Sequence, residues 1–307
     1  MKRISSMALF LTKVKCGVAI RHNALLLLAV MLLSIACSKS NDYVYIDDTK
    51  SNDGKVNVTV TDANGTTSNV TAGSQMGIYI TDADGNVTFL KVSVGQDGSV
   101  VLPATVRDQK IVAYLPYQEE WGDDAMSETE LFTVKENQST QSGYDASDLM
   151  IGSNAITRAT SASGLNFSRM LAQVIINIVD ATGSNDFYDC GVSLHDVDNT
   201  VAVVLSEQSV STVKDMKGNV SMLPVVVSDY RLSVKAIVAP QEIYGGERFI
   251  VFNNGGYSRR YAIPQTADLQ GGKTYTINMR LTTTGLEFVG SSVTDWDEVG
   301  DVSLEIK

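Results

Sequence analysis

Apolar and polar residues alternate with a period of two along most of the chain, which is typical of β-strands that bury one face. The segments KVNVTVTDANGTT, from Lys55, and GIYITDADGNVTFLKVSV, from Gly77, place this alternation on either side of Asn-Gly and Asp-Gly, which favour tight hairpin turns. Further strand-like runs are KIVAYLPY, LAQVIINIVD, CGVSLHDV, TVAVVLS, YRLSVKAIVAP, ERFIVF, KTYTINMRLTTT and VSLEIK. No window of helical length shows a sustained 3.6-residue period. The pattern therefore predicts an all-β protein with few, short helices.

Strands that recur at hairpin spacing are typical of β-sandwiches rather than of a parallel sheet with crossover helices. The segment GSNAITRATSASG, residues 152–164, is small, polar and without a strand pattern, and a strong strand pattern follows it. We therefore predict that it separates an N-terminal β-sandwich, residues 56–158, from a C-terminal β-sandwich, residues 165–307.

Residues 1–36 have the pattern of an export signal. They carry five basic residues, no acidic residue and an apolar core at Ala24–Leu33, which is too short for a membrane-spanning helix because such a helix needs roughly 20 apolar residues. The sequence LSIAC then places Cys37 directly after a small residue, as a lipoprotein box does, although Ser34 stands where Leu is usual. We expect cleavage after residue 36 and attachment of diacylglycerol to the Cys37 thiol. The alternative is an ordinary signal peptide followed by an unmodified cysteine.

Residues 37–55 are polar and charged apart from Tyr43–Ile46, and we expect them to form a tether between the lipid and the folded part. Two or three acyl chains hold a protein stably at a membrane, because each buried CH₂ contributes about 0.8 kcal/mol. With Cys37 acylated, Cys190 is left without a partner for an intramolecular disulfide.

The net charge narrows the range of partners. The whole chain has a formal net charge of −11, and its leader holds five basic residues and no acidic ones, so the mature chain is more acidic still. Such a surface repels nucleic acid and anionic lipid headgroups. We therefore expect no nucleic-acid partner, and membrane contact through the acyl chains alone.

The mature chain has a single histidine, His195, which argues against most catalytic and metal-binding schemes. No cluster of His and Cys offers the three or four ligands of zinc, and no G-x-S-x-G motif accompanies His195. The sequence DADGN from Asp82 resembles the start of a calcium loop, but the twelfth position, where such a loop has Glu, is Ser93. We predict a hairpin turn at Asp82, and no catalytic, cofactor or metal site.

Carboxylates around Trp296, at Asp295, Asp297 and Glu298, resemble the acid pair and sugar platform of a glycosidase. Adjacent acids on a strand alternate faces, so we predict instead a solvated edge with Trp296 packed inward. Cys190 is predicted to be a small buried apolar residue.

Six segments, taken together in their order, resemble the fimbrillin (Mfa-like) family of lipoprotein-derived subunits and tip proteins of type V pili. They are AYLPYQ from Ala113, GYDASDLMIGS from Gly143, LNFSRMLAQVIINI from Leu165, AIVAPQEIYGGERFIVF from Ala236, LQGGKTYTINMRL from Leu269 and VTDWDE from Val293. The resemblance implies two transthyretin-like β-sandwich domains in tandem, display at the outer membrane, and other pilin subunits as partners. It also implies assembly by strand exchange, in which a protease removes the first strand and the C-terminal strand of a neighbour fills the groove.

The tail departs from the pattern of stalk subunits in this family, which are typically cut after an arginine. No arginine lies between Cys37 and Arg107, and the basic residues of the tail are Lys39, Lys50 and Lys55. Lys50 and Lys55 are therefore the candidate processing sites, and an uncut anchor or tip subunit is the alternative. A second departure is Ser168, where relatives often carry histidine.

At the C-terminus, Val302, Leu304 and Ile306 alternate with polar residues and would give a donor strand one apolar face. An edge strand that completes the chain's own sandwich would satisfy the same alternation.

These features predict a structural or accessory subunit of a type V pilus, exported as an outer-membrane lipoprotein and serving adhesion. The alternative is a solitary surface lipoprotein that binds a glycan or a host ligand through exposed aromatic residues. Tyr117, Trp121 and Tyr257 are the candidates for that role, although aromatic residues in strands usually belong to the core.

Overall fold

The computed structural model describes residues 44–45, 55–61, 67–102, 109–157, 163–183, 187–228 and 231–296. The leader and Cys37, Lys50, Val302, Leu304 and Ile306 lie outside the described residues, so what the sequence predicts for them stays a prediction.

Strands dominate the described residues, and this confirms the all-β prediction. The first ten are β1 (Val44–Tyr45), β2 (Lys55–Thr61), β3 (Thr67–Asn69), β4 (Gln75–Thr81), β5 (Val87–Ser93), β6 (Ser99–Val101), β7 (Gln109–Leu115), β8 (Glu130–Thr133), β9 (Met150–Thr157) and β10 (Ser163–Arg169). The others are β11 (Ala172–Asp180), β12 (Cys190–Asp198), β13 (Thr200–Val204), β14 (Ser209–Thr212), β15 (Lys217–Ser221), β16 (Leu223–Ser228), β17 (Arg231–Val238), β18 (Gln241–Ile243), β19 (Ile250–Asn254), β20 (Tyr257–Tyr261), β21 (Ala267–Leu269), β22 (Lys273–Thr282) and β23 (Gly285–Asp295).

One short α-helix, α1 (Gln141–Asp145), and a 3₁₀ turn at Leu205–Glu207 are the helical elements of the described chain. The Thr140 hydroxyl accepts a hydrogen bond from the Gly143 N–H and so caps the start of α1. No helix in the described part is long and apolar enough to cross a membrane.

The first sheet has the strand order β3-β2-β10-β9-β7-β4-β5, with β6 beside β2 and β1 beside β9. Most neighbours are antiparallel, but β2 runs parallel to β10 and β1 runs parallel to β9. One face of this sheet covers a hydrophobic cluster made of Val70, Met76, Ile78, Ile80, Val94, Val100, Leu102, Ile111, Ala113, Leu115, Met150, Leu165 and Phe167.

A second layered body pairs a five-stranded sheet, β16-β17-β11-β22-β23, with a four-stranded sheet, β15-β12-β19-β20. The central strand β11 is buried along nearly its whole length, which explains its almost continuous apolar sequence. Its side chains Val174 and Ile176 share one core with Val192 and Phe252 of the facing sheet. Two small sheets, β14-β13-β8 and β18-β21, complete the described strands.

Residues 152–164, the predicted domain boundary without a strand pattern, include the second part of β9 and the start of β10, and these two strands pair with each other in the first sheet. β10, which the prediction assigns to the C-terminal sandwich, therefore belongs to the first sheet. Conversely, β8 precedes the predicted boundary but pairs with β13, which follows it. Phe132 of β8 lies in the same hydrophobic cluster as Val201 of β13. The division into two sandwich domains stays a prediction, and strands from each side of it pair across it.

Candidate functional site

The edge where the first strands of the chain enter the first sheet is the candidate functional site. β2 lies between β3 and β10 and pairs in parallel with β10, where Val58 is opposite Leu165 and Val60 is opposite Phe167. Leu165 and Phe167 are fully buried in the cluster beneath this sheet. β2 thus lies next to a strand whose side chains form part of the core.

β1 lies in the same sheet but beside β9, whereas β2 lies beside β10. It pairs with Ile156 and Thr157 at the end of β9, whereas β10 pairs with the earlier residues Met150–Ser153. β7 pairs with one side of β9 as far as Ile156. β1 therefore pairs with the other side of β9, where the pairing with β10 ends at Ser153. Removal of β1 would therefore leave the end of β9 without its neighbour on that edge.

Of the predicted processing residues, the structure describes Lys55, which is the first residue of β2 and lies opposite Val101 of β6. A cut after Lys50 would release β1 and leave the whole of β2 in the sheet. A cut after Lys55 would release β1 together with Lys55, the first residue of β2. β1 lies within residues 37–55, which were predicted to form a tether and not a strand. The signal that could have identified it is the short apolar stretch Tyr43–Ile46 within an otherwise polar segment.

The predicted turn at Asp82 is confirmed as the connection between β4 and β5. One Asp82 carboxylate oxygen accepts hydrogen bonds from the backbone N–H groups of Asp84 and Asn86, at 2.9 and 2.8 Å. The other oxygen accepts from the Asn86 side-chain amide, at 2.9 Å. The hydrogen bonds from Asn86 lower the pKa of Asp82, and Gly85 takes the positive φ of 86° that a tight turn favours. The carboxylate therefore stabilises the turn itself.

His195 lies in β12 beside a β-bulge, far along the chain from the candidate edge. Its Nε2 is 3.0 Å from the Ser193 hydroxyl, and its Nδ1 is 3.2 Å from the Arg260 guanidinium. The Asp196 carboxylate binds Arg260 at 2.8 Å rather than His195. A catalytic triad requires a carboxylate at the second ring nitrogen, and here a cation takes that place. Burial and the neighbouring Arg260 both lower the pKa of His195.

Two of the three aromatic candidates are engaged by the protein itself. Trp121 is buried, and its indole N–H donates to the Leu131 carbonyl at 3.2 Å. Tyr117 is half-buried, and the Lys91 ammonium lies 3.9 Å from the centre of its ring. The third, Tyr257, is the first residue of β20. Trp121 therefore has no exposed ring on which a glycan could stack, and Lys91 occupies one face of the Tyr117 ring.

Trp296 is buried, as predicted, with the Arg169 guanidinium 4.9 Å from its ring. The neighbouring Asp295 forms an ion pair with Lys273. Cys190 is half-buried against the core rather than fully buried. Within the described ranges, no group of three or more His, Cys, Asp or Glu side chains is placed to hold a metal ion.

Comparison with known proteins places this arrangement in a family. The fimbrillin-like family profile matches residues 44–296. A candidate cell adhesion protein from Bacteroides uniformis is similar in structure with a TM-score of 0.59 and 19% identity, and the match covers 80% of this chain and 100% of that chain. Another from Bacteroides ovatus has a TM-score of 0.63 and 14% identity, over 80% of this chain and 98% of that chain. Identities this low show a shared fold alone. No curated protein matches the chain.

Proposed function

Because the chain belongs to the fimbrillin-like family, we propose that it is a structural or accessory subunit of a type V pilus, exported as an outer-membrane lipoprotein and serving adhesion. The match over residues 44–296 carries this proposal. The family is not a family of enzymes, and it places the protein at the cell surface or on a fimbrium. The adhesion role is supported by the two structurally similar Bacteroides proteins, both of which are described as candidate cell adhesion proteins.

The pairing of β1 supports assembly by strand exchange. Processing after Lys50 or Lys55 would release β1 and uncover the edge of β9 at Ile156 and Thr157. A strand from a neighbouring subunit would then restore the ladder hydrogen bonds, as in other cases of β-strand addition. The candidate donor carries Val302, Leu304 and Ile306 on alternate positions, and each such side chain contributes about 1.5–3 kcal/mol when buried.

Lipid labelling tests the proposed export route. In cells given a labelled fatty acid, we expect the wild-type protein to carry the label and Cys37→Ala to carry none, because the acceptor thiol is missing. The mature N-terminus of surface protein should be measured in parallel. Acylated Cys37 on all copies indicates an anchor, tip or solitary lipoprotein, whereas a start directly after Lys50 or Lys55 indicates a processed stalk subunit. Label on Cys37→Ala would contradict the lipoprotein proposal.

Truncation tests the donor strand. A chain that lacks residues 302–307 should remain folded and reach the surface as monomer, because a donor strand supports its neighbour rather than its own domain. The matched control replaces Ser303 and Glu305 with alanine, which changes the same strand at its polar positions and should still polymerise. SDS-resistant ladders from the truncated protein would exclude the donor role, and loss of monomer stability would indicate an internal strand instead.

A further inference from the structure

Among the described residues, no strand covers the inner face of the five-stranded sheet at one end of its edge strand, β23. On β22, the inward side chains Tyr275, Ile277, Met279 and Leu281 are all buried, at 7, 4, 1 and 7% exposure. Their partners on β23 are Val293, Ser291, Phe288 and Leu286 in the same order, and directly opposed residues of antiparallel strands share a face. Leu286 is buried and Phe288 half-buried, but Ser291 and Val293 are exposed. On β23, this face is therefore covered at Leu286, partly covered at Phe288 and exposed at Ser291 and Val293.

The uncovered end forms a cleft with a volume of about 360 Å³. This lies within the range of about 300–1,000 Å³ that is typical of small-molecule sites. Apolar side chains form much of its lining: Val174, Ile243, Phe249, Ile263, Ile277 and Phe288. Most of them are nearly fully buried and belong to the main core, so the walls are fixed by packing. An apolar group that enters the cleft would exchange water for this lining.

The charged groups at the mouth already have partners. Lys273 forms an ion pair with Asp295, and Asp268 accepts a hydrogen bond from the Gln270 side-chain amide at 2.8 Å. The charged residues that line the cleft are thus engaged, while Gln265 and Ser291 add an uncharged amide and a hydroxyl. An anionic ligand would lose hydration here without meeting a free counter-charge, because Lys273 is already paired with Asp295, whereas an uncharged polar group could hydrogen-bond.

We propose that this cleft binds an uncharged amphiphile, with an alkyl chain or apolar ring against the lining and a hydroxylated or amide head group at Gln265 and Ser291. The site is separate from the β1 edge and does not depend on the role in pilus assembly. It gives the subunit a small-molecule ligand in addition to its protein partners.

Isothermal titration calorimetry tests the proposal with three probes, each below its critical micelle concentration. The protein carries Cys37→Ser, so it has no acyl chain that could compete with the probes for the cleft. Octyl glucoside supplies both chain and uncharged head, methyl glucoside supplies the head alone, and octanesulfonate supplies the chain with a charge. We expect octyl glucoside to bind at least tenfold more tightly than either of the others, because only it satisfies both the lining and the rim.

Two variants of β23 locate the binding. Ser291→Phe fills the cleft from its open side and should weaken octyl glucoside binding at least tenfold. Thr294→Phe is the matched control, since Thr294 is exposed on the same strand but pairs with Thr274 on the opposite face and does not line the cleft. Circular dichroism and thermal melts confirm that both variants are folded, and Val293→Asp, at an exposed lining position, serves in place of Ser291→Phe if that variant misfolds. The proposal is overturned by the lack of saturable binding, by equal affinity for methyl glucoside or octanesulfonate, or by equal effects of the two phenylalanine variants.

Discussion

Replacing Gln138 should destabilise the protein, because this residue lies outside any strand and yet its side chain hydrogen-bonds the Ile237 backbone as a neighbouring strand would. Gln138 is fully buried. Its side-chain amide donates to the Ile237 carbonyl and its side-chain oxygen accepts from the Ile237 N–H, each at 2.8 Å. Its backbone N–H donates to the Ser221 carbonyl at 3.0 Å. One residue thus connects β15 of the four-stranded sheet with β17 of the five-stranded sheet.

Gln138→Met keeps the length of the side chain and removes both polar atoms. It leaves the Ile237 N–H and C=O buried without their partner, which costs about 1–3 kcal/mol for each group, and burial of the methionine offsets about 1.5 kcal/mol of this. We therefore expect the free energy of unfolding to fall by about 1–4 kcal/mol, a large part of the usual stability of a domain.

Urea unfolding followed by tryptophan fluorescence measures this change, since the chain has two tryptophans, Trp121 and Trp296, both buried. Gln141→Met is the control, because Gln141 is exposed and bonds only to its helix neighbour Asp145, and we expect it to stay within about 0.5 kcal/mol of wild type. If Gln138→Met lowers the free energy of unfolding no more than Gln141→Met does, the hydrogen bonds between Gln138 and Ile237 do not stabilise the protein and the reasoning is refuted.

Two further substitutions test the packing and the pH response. Gly77→Ala would place a Cβ 2.2 Å from the ring of Tyr114, which is fully buried, so we expect the free energy of unfolding to fall by about 1–3 kcal/mol. Gly191→Ala is the control, because no atom lies within 4 Å of the new Cβ, and its melting temperature should change little. Equal melting temperatures for the two variants would contradict close packing at Gly77. Burial and Arg260 lower the pKa of His195 in the folded state, so the unfolded state binds the proton more readily. The contribution of His195 to stability should therefore be fully present above the ordinary histidine pKa of about 6.5. It should be lost as the pH falls through the lowered pKa of the folded state. His195→Gln should reduce that fall in urea unfolding between about pH 7.5 and pH 5, and an unchanged pH profile would show that His195 does not contribute to it.

Local features were predictable from the sequence, because neighbouring residues determine them. The alternation on either side of Asp82 predicted the β4–β5 hairpin, and the structure adds that the Asp82 carboxylate holds the turn through bonds to residues two and four positions later. The inward packing of Trp296 was predicted from the alternation of faces between adjacent residues, which separates Trp296 from the acids beside it.

Pairings between distant segments were not predictable, because alternation shows that a strand has a buried face and not which strand lies beside it. The parallel pairs β2–β10 and β11–β22 each join segments about a hundred residues apart. β8 was not among the predicted strands, and its partner is β13, on the other side of the predicted domain boundary. The candidate edge depends on the same kind of information, since β1 is two residues long and is recognised only by its position beside Ile156 and Thr157.

The open cleft shows how a local irregularity changes the meaning of a sequence pattern. β23 was not predicted as a strand, because its alternation breaks at Val289. The register shifts there, with Phe288 opposite Met279 and Gly290 opposite Asn278, so Val289 is the extra residue of a β-bulge. Beyond the bulge, the inward positions are Ser291 and Val293, so a polar residue interrupts the apolar series of Leu286 and Phe288. A serine at an inward position suits a face that meets solvent, and this agrees with the exposure of Ser291 within the described residues.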